Sequence, residues 1–446
     1  MSLGKGTFAG GIHPPERKSL AESLPIEVLP TPKLISVPLL QHLGAPCEAL
    51  VKARDEVEIG QIIGRSDAPI SAPVHASIQG TVARPSMATL PNGRHVASIP
   101  IKAAAEPSLE GRELYEDHFG GDWPTAGFDR FDPESIAEAV RDAGLVGMGG
   151  AAFPTWVKLA PNPERPVDTV LINGCECEPY LTADSRLMVE AAAPVISGSL
   201  LAARSIGAER IVVAIEDNKP EAIAAMRAAA KDTGVEIEPV PTKYPQGAEK
   251  QLVIAVLGRV VPGGGLPLDV GVVVVNVGTA VAVARAVLRG KPLTHRIVTV
   301  SGDGIDRPKN ILVPIGVAYR DVIEFAGGLE QDAARVIAGG PMMGFTLGDF
   351  GVPVTKGTSG ITVLTHDNLR QVAETACVRC GRCVDVCPMD LVPTRIALAA
   401  RRGLWDQVRR YHAGSCMECG CCAYECPAQI PLVQLIRLGK AQLAAA

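Results

Sequence analysis

The sequence predicts a multidomain α/β chain. A small N-terminal β domain should lead into an α/β domain built on a parallel sheet, then a further small module and a mainly helical, cysteine-rich lobe. Three observations point to it. From residue 167 to 288 apolar strand-like runs alternate with helix-like stretches, the rhythm of a sheet covered on both faces. The first hundred residues are instead short apolar pieces punctuated by proline and glycine. Of the 12 cysteines, nine fall from Cys377 to Cys426, and eight of these make two copies of one spacing.

At 446 residues the chain has room for about three or four domains with real cores. A net charge of -5 lacks the basic face that a nucleic-acid partner would call for. The cysteine usage fits a reducing compartment, and the start, MSLGKGTFAGGIHPPERK, has no apolar core of a secretory signal. The most apolar run, Val270 to Ala284, is too short to span a membrane and is broken by Asn276, Gly278 and Thr279. It reads as a buried strand turning into a helix, so no transmembrane segment is expected.

Residues 1 to 105 read as the small β domain. Its segments 51 to 64 and 70 to 83 are alike in pattern and resemble the two halves of a lipoyl- or biotinyl-like barrel. No lysine lies between Gly64 and Gly80, so a structural or docking role is expected rather than a swinging arm. His13 and His75, beside prolines, read as hydrogen-bonded loop residues. Residues 106 to 131 form a linker. A helix should begin at Asp132 or Pro133, where an acidic cap precedes proline, and end at Gly144.

The loop Gly147-Met148-Gly149-Gly150-Ala151-Ala152-Phe153-Pro154-Thr155 then enters a helix carrying Lys158. Glycines let the backbone approach a ligand, free N–H groups at a helix start favour an anion, and a lysine adds a point charge. No strand runs directly into the loop, so it is not a dinucleotide GxGxxG, and a plain tight turn would look the same. Strands are expected at 167–173, 210–216, 235–240 and 270–277, with helices at 184–205, 219–231, 247–257 and up to Leu288. Ligands of such sheets sit beyond the strand carboxyl ends. Asn173, Glu176 and Glu178 follow the first strand, and Asn276 and Thr279 the last; helix capping and solvation are the alternative uses of the two acids. Cys175 and Cys177 read as small thiols near the site rather than metal ligands.

Residues 293 to 345 change pattern, and 346 to 370 form a glycine-rich connector with one short strand. In 371 to 446 each cysteine group has three cysteines two residues apart, then a fourth three further on and a proline. That is the bacterial ferredoxin spacing, in which the fourth cysteine ligates the other cluster. It assigns Cys377, Cys380, Cys383 and Cys426 to one [4Fe-4S] cube and Cys416, Cys419, Cys422 and Cys387 to a second. Zinc sites would pair CxxC motifs at a distance, and disulfides would suit a secreted chain. Cys421 is left over.

GMGGAAFPTWVK (147 to 158) with NGCECEPY (173 to 180) resembles the FMN and NADH site of the flavoprotein subunit of respiratory complex I. Adding KGTFAGGIHPPERK (5 to 18), YPQGAEKQL (244 to 252) and the paired cysteine motifs, the chain resembles still more closely, over nearly its whole length, the RnfC family of Rnf ion-translocating complexes. The resemblance implies that Gly147, Gly149 and Lys158, with Gly150 of the same loop, hold the phosphate and ribityl groups of FMN. Asn173, Glu176, Asn276 and Thr279 would line the flavin, and Glu249 would be an acidic site residue. Phe153 would stack on the nucleotide and Glu178 would lie where it approaches, which makes these two the catalytic candidates. Residues 132 to 292 become an FMN- and NADH-binding, Rossmann-like domain, and 293 to 345 is similar to a β-grasp (SLBB-like) module acting as spacer. Met148, Ala152 and Trp156 stand where complex I has arginine, glycine and glycine, so bulk at 152 and 156 would narrow the nucleotide path.

A nicotinamide gives two electrons as a hydride and a cluster takes one, so a flavin must stand between them. The resemblance therefore implies a peripheral NAD(H)-reacting subunit on the cytoplasmic face of the inner membrane. Other membrane and peripheral subunits would be its partners, and ferredoxin an indirect one. Electrons would pass from ferredoxin through those subunits to the clusters, FMN and NAD+, with ions moved by the partners. The alternatives are a soluble flavin and iron-sulfur reductase of the cobalamin reductase type, and a non-catalytic electron relay. The about 145 residues before Gly147 favour the Rnf-type subunit over the cobalamin reductase type.

Overall fold

The computed structural model describes residues 6–369 and 372–445; Lys5 and the expected junction at 370/371 lie outside them. At the centre is a four-stranded parallel sheet, β1 (Thr169–Asn173), β2 (Arg210–Glu216), β3 (Glu236–Val240) and β4 (Val272–Asn276), in the order β3-β2-β1-β4. The runs that form it are valine- and isoleucine-rich without alternation, because β1, β2 and β4 are buried on both faces. β1 and β4 are neighbours in register, which sets Asn173 opposite Asn276 at their carboxyl ends.

The helices of this domain are α1 (Pro133–Asp142), α2 (Thr155–Leu159), α3 (Ala183–Glu190), α4 (Ala192–Ile206), α5 (Pro220–Ala229), α6 (Glu249–Leu257) and α7 (Val277–Arg289). The single helix expected over 184–205 is thus two, bent by 97°. Pro194 explains the break: its ring clashes with the carbonyl four residues back, at Glu190, and it has no N–H to give. α4 crosses α7 at Gly198, where a Cβ would stand 1.8 Å from the Ala280 carbonyl oxygen. No single helix among the described residues is long and apolar enough to cross a membrane; the bent pair α3 and α4 passes on length and composition, and most of its residues are buried inside the protein.

The second sheet has six strands, in the order Ile26–Val28, Lys309–Pro314, His295–Ser301, Gly360–Thr365, Ala333–Ala338, Phe345–Thr346. Two of them come from outside 293 to 345. Ile26–Val28, read as part of the N-terminal domain, pairs parallel with Lys309–Pro314. Gly360–Thr365, read as part of the connector, is buried at every residue and lies between two strands of the module. The N-terminal domain is a barrel-sandwich of a five-stranded and a three-stranded sheet. Its Ile35, Ile63 and Ile101 share one core with Val298, Val313 and Val363 of the six-stranded sheet. The cysteine lobe is mainly helical, with Ile396, Val408, Leu432 and Ile436 at its centre.

His13 is exposed. His75, expected in a loop, lies instead in the strand Val74–His75 and is buried. Burial and then Lys356 push its pKa down to about 3, so it stays a neutral imidazole. Lys356 is only 1% exposed and donates from Nζ to the carbonyls of Pro73 and Gly144, each at 2.6 Å. The lysine thereby fastens the barrel to the turn that leads into the glycine loop. Gly144 has φ +67°, and a Cβ there would stand 2.3 Å from the Pro73 oxygen, so no other residue fits.

Burial lowers Lys356 from 10.5 to about 7. Between those values the unfolded chain binds a proton at this lysine that the folded chain does not, so stability rises with pH across the window and is lost as pH falls through about 7. Thermal unfolding followed from about pH 7 to 10 should show this rise in the wild type and a smaller one in Lys356→Met. Equal slopes would mean the ammonium is not buried in solution.

Candidate functional site

The site begins at the carboxyl ends of β1 and β4. Asn173 donates from Nδ2 to the Gly247 carbonyl at 2.7 Å and accepts from the Cys175 N–H at 3.2 Å. Asn276 caps α7, its Oδ1 accepting from Gly278 at 2.8 Å and Thr279 at 3.4 Å, while its Nδ2 donates to Asp184 at 2.6 Å. Over these two asparagines lies the glycine loop. It is closed by Gly147 N–H on the Phe153 carbonyl (2.8 Å) and held down by Met148 N–H on Thr279 Oγ1 (3.0 Å). A Cβ at Gly149 would stand 2.9 Å from Asn276 Nδ2, whereas Gly150 has nothing within 4 Å. The loop therefore offers open backbone above a polar floor, which suits a flat ring system with a polar tail. Phe153 is half-buried at its end.

Lys158 does not offer a free charge to this cleft. Its ammonium pairs with Glu249, the first residue of α6, and also donates to the Val274 carbonyl at 3.3 Å. Glu176 has φ +49° and turns its carboxylate onto the first turn of α3, accepting from Asp184 N–H at 2.8 Å and Ser185 N–H at 3.1 Å. Glu178 accepts from Met342 and Met343 N–H at 3.0 and 2.8 Å, and burial pushes it up to about 7. Both acids thus serve as anchors of backbone. Trp156 gives its indole N–H to the Ser71 carbonyl at 2.9 Å, so its bulk turns toward the barrel and not across the nucleotide path.

Three further residues escaped the sequence reading. Lys18, 5% exposed, donates to the carbonyls of Glu176, Glu178 and Leu181 at 2.8, 2.9 and 2.6 Å. Its signal was its place at the end of the KGTFAGGIHPPERK motif. Asp184 faces Asn276; burial and then Glu176 push it up to about 7. Arg296 reaches from the six-stranded sheet to the Thr358 carbonyl (3.1 Å), and to the carbonyl and sulfur of Met148. Nothing local in the sequence marks either.

Several of the lobe's cysteines lie within charge reach of one another. Burial first, then Cys419 and Cys387, push the Cys416 thiol up to about 11. Burial and Cys419, Cys416 and Cys387 raise Cys422, and burial with Cys380 and Cys426 raises Cys383. Such crowded, buried thiols favour a cationic centre, which deprotonates the sulfurs it binds. No three His, Cys, Asp or Glu among the described residues are close enough to hold a single metal ion.

One set lies against the flavin side. Tyr244, in the YPQGAEKQL phrase, donates from its hydroxyl to the Cys419 carbonyl at 2.7 Å. Tyr244, Cys177, Cys419 and Cys421 share an apolar cluster. Gly11 N–H bonds the Val386 carbonyl at 2.9 Å, and a Cβ at Gly10 would stand 2.9 Å from the Cys387 carbonyl group. Gln251 donates to the Pro388 carbonyl at 2.8 Å. The other set includes the exposed Cys380.

Four family models match the chain: the RnfC barrel sandwich hybrid domain at 6–106, the Nuo51 FMN-binding domain at 140–285, the SLBB domain at 297–346 and a 4Fe-4S dicluster domain at 376–430. The C subunit of the Na(+)-translocating ferredoxin:NAD(+) oxidoreductase complex of Acetobacterium woodii is 44% identical, covering 100% of this chain and 99% of the relative. The proton-translocating counterpart of Clostridium ljungdahlii is 44% identical over 98% of this chain and 94% of its own. The C subunit of the ion-translocating oxidoreductase complex of Rhodobacter capsulatus is 43% identical over 98% and 83%. An NAD+-reducing [NiFe]-hydrogenase in the H2-reduced state is alike in fold, with a TM-score of 0.51, 21% identity, and 74% of this chain and 64% of that one covered.

If the two sets hold two cubes, reconstituted protein should carry about eight irons and eight sulfides per chain. Cys419→Ser should lower iron to about four, while Cys421→Ser leaves it near eight. Equal loss in both variants, or a stable form holding two zincs, would reject the assignment.

Proposed function

The chain belongs to the RnfC family, the C subunits of ion-translocating oxidoreductase complexes, and we propose that it is the NAD(H)-reacting member through which such a complex passes electrons between nicotinamide and one-electron carriers. Its cofactors are FMN and two [4Fe-4S] clusters, and NAD(H) is the substrate. Bound in the cleft, FMN supplies the exchange between two-electron hydride chemistry and single-electron transfer. The chain's own residues do the rest. Gly149 and Gly150 leave backbone open for the ring and ribityl groups, Asn173, Asn276 and Thr279 fix the floor, and the Lys158–Glu249 pair closes one side. Phe153 faces the incoming nicotinamide nucleotide. Glu178, tied to Met342 and Met343, shapes that approach rather than acting as a free acid.

The observation that carries this reading is the Tyr244 hydroxyl on the Cys419 carbonyl, which ties the flavin domain to one cysteine set through packed protein. The cube on Cys387, Cys416, Cys419 and Cys422 is then the inner one. The cube on Cys377, Cys380, Cys383 and Cys426 faces outward to the partner subunits that relay electrons from ferredoxin. The protein sits peripherally on the cytoplasmic face of the membrane, and its partners move the ion.

Mixing reconstituted protein with NADH in a stopped-flow instrument should bleach the flavin first. Cluster signals should follow by electron paramagnetic resonance, and Cys419→Ser should hold the electrons on the flavin side. A bound flavin that ignores NADH would replace this reading with that of an electron relay.

A further inference from the structure

We propose that Arg296 is the phosphate-binding residue of this flavin site, taking the phosphate monoester of FMN in the cavity behind the glycine loop at the first turn of α7. The inference rests on the flavin reading above and assigns the charge that reading lacks.

A phosphate dianion in a partly buried cleft needs a cation with donors to spare. Lys158 is taken by Glu249, Lys219 by Glu216, and Arg285 and Lys291 by Asp117. Lys18 has no carboxylate within ion-pair distance among the described residues, but its three donors go to three carbonyls. Arg296, 7% exposed, also has no carboxylate within that distance among the described residues. It has five N–H donors, and its Nη1 meets a thioether, the sulfur of Met148, which is a weak acceptor.

The place has room for a small anion, its charged groups set among apolar side chains such as Leu187, Val281 and Leu293. Met148, Asp184, Gly278, Arg285 and Arg296 line a cavity of about 50 Å3, several times the roughly 10–15 Å3 that admits one water. A Cβ at Gly278 would stand 3.4 Å from Arg296 Nη1 and 3.5 Å from Met148 Sδ, so glycine keeps the guanidinium open to the start of α7. That helix is 13 residues long and presents its positive end there. Asp184 is the carboxylate on the cavity wall. Burial and then Glu176 push its pKa up to about 7, against the opposite pull of Arg296. His118 and His295, also on the wall, are kept neutral by burial and by Arg285, so they neither compete for the anion nor repel it. Arg296 lies between the FMN-binding match at 140–285 and the SLBB match at 297–346, outside both.

The test compares FMN with riboflavin, which lacks only the phosphate, by fluorescence titration of the full chain. Wild type should prefer FMN, and excess inorganic phosphate should weaken FMN binding but not riboflavin binding. Arg296→Met should weaken FMN by about 10- to 100-fold with riboflavin unchanged, and Arg296→Lys should keep part of the preference even if the Met variant folds poorly. A preference that survives both substitutions overturns the role of Arg296 alone. Riboflavin and FMN bound equally by wild type would overturn the flavin reading with it. Arg296→Lys that keeps the FMN preference but loosens NADH would assign the charge to the dinucleotide instead.

Discussion

The arrangement depends on one buried ammonium. Burying a lysine costs several kcal/mol unless its protons are met, and Lys18 meets that demand with three main-chain carbonyls of residues 176 to 181. This clamp holds a segment with two residues in the left-handed region, Glu176 at +49° and Tyr180 at +68°. Once that backbone is fixed, each side chain finds its task. Glu176 caps α3, Glu178 pins Met342 and Met343, and Cys177 accepts from the Gly247 N–H. The lysine comes from the N-terminal stretch, about 160 residues away in sequence, so the flavin domain is completed by a segment outside it.

The same logic recurs at the other joints. Lys356 spans the barrel and the turn before the glycine loop, and the barrel shares its core with the six-stranded sheet. Gly10 and Gly11 let the N-terminal stretch lie against Cys387 and Val386, with Tyr244 beside it. The modules are thus packed against one another, and small residues at the seams set how closely the lobes approach.

What could be read in the sequence follows from this. Strands β1, β2 and β4 of the parallel sheet were legible because burial on both faces writes itself as runs rich in valine and isoleucine. The cysteine lobe was legible as a 4Fe-4S dicluster domain because cubes demand a fixed local spacing. The pieces that escaped are long-range. Ile26–Val28 and Gly360–Thr365 join the β-grasp sheet through partners far along the chain, and short runs beside prolines or glycines carry no sign of where they will pair. Lys158 looked like a phosphate ligand because its loop is local, whereas the acid that neutralises it lies 91 residues on. Trp156 looked obstructive because a sequence does not tell which way an indole turns. The split at Pro194, by contrast, was there to be read from the ring alone.

The electrostatics of the cleft then follow a single rule. Charges are strong in a low-dielectric site, so most acids near the strand ends are matched at short range, Glu216 by Lys219 and Glu249 by Lys158, or spent on neutral donors, as with Glu176, Glu178 and Asp184. Matched pairs leave little net field, which lets a cofactor gain or lose electrons without meeting a fixed repulsion nearby. A buried cation with no carboxylate at ion-pair distance is tolerable where carbonyls take its donors, as with Lys18, or where a permanent anion arrives to balance it. In this cleft the guanidinium behind the glycine loop is such a cation, with its donors spread over carbonyls and a thioether.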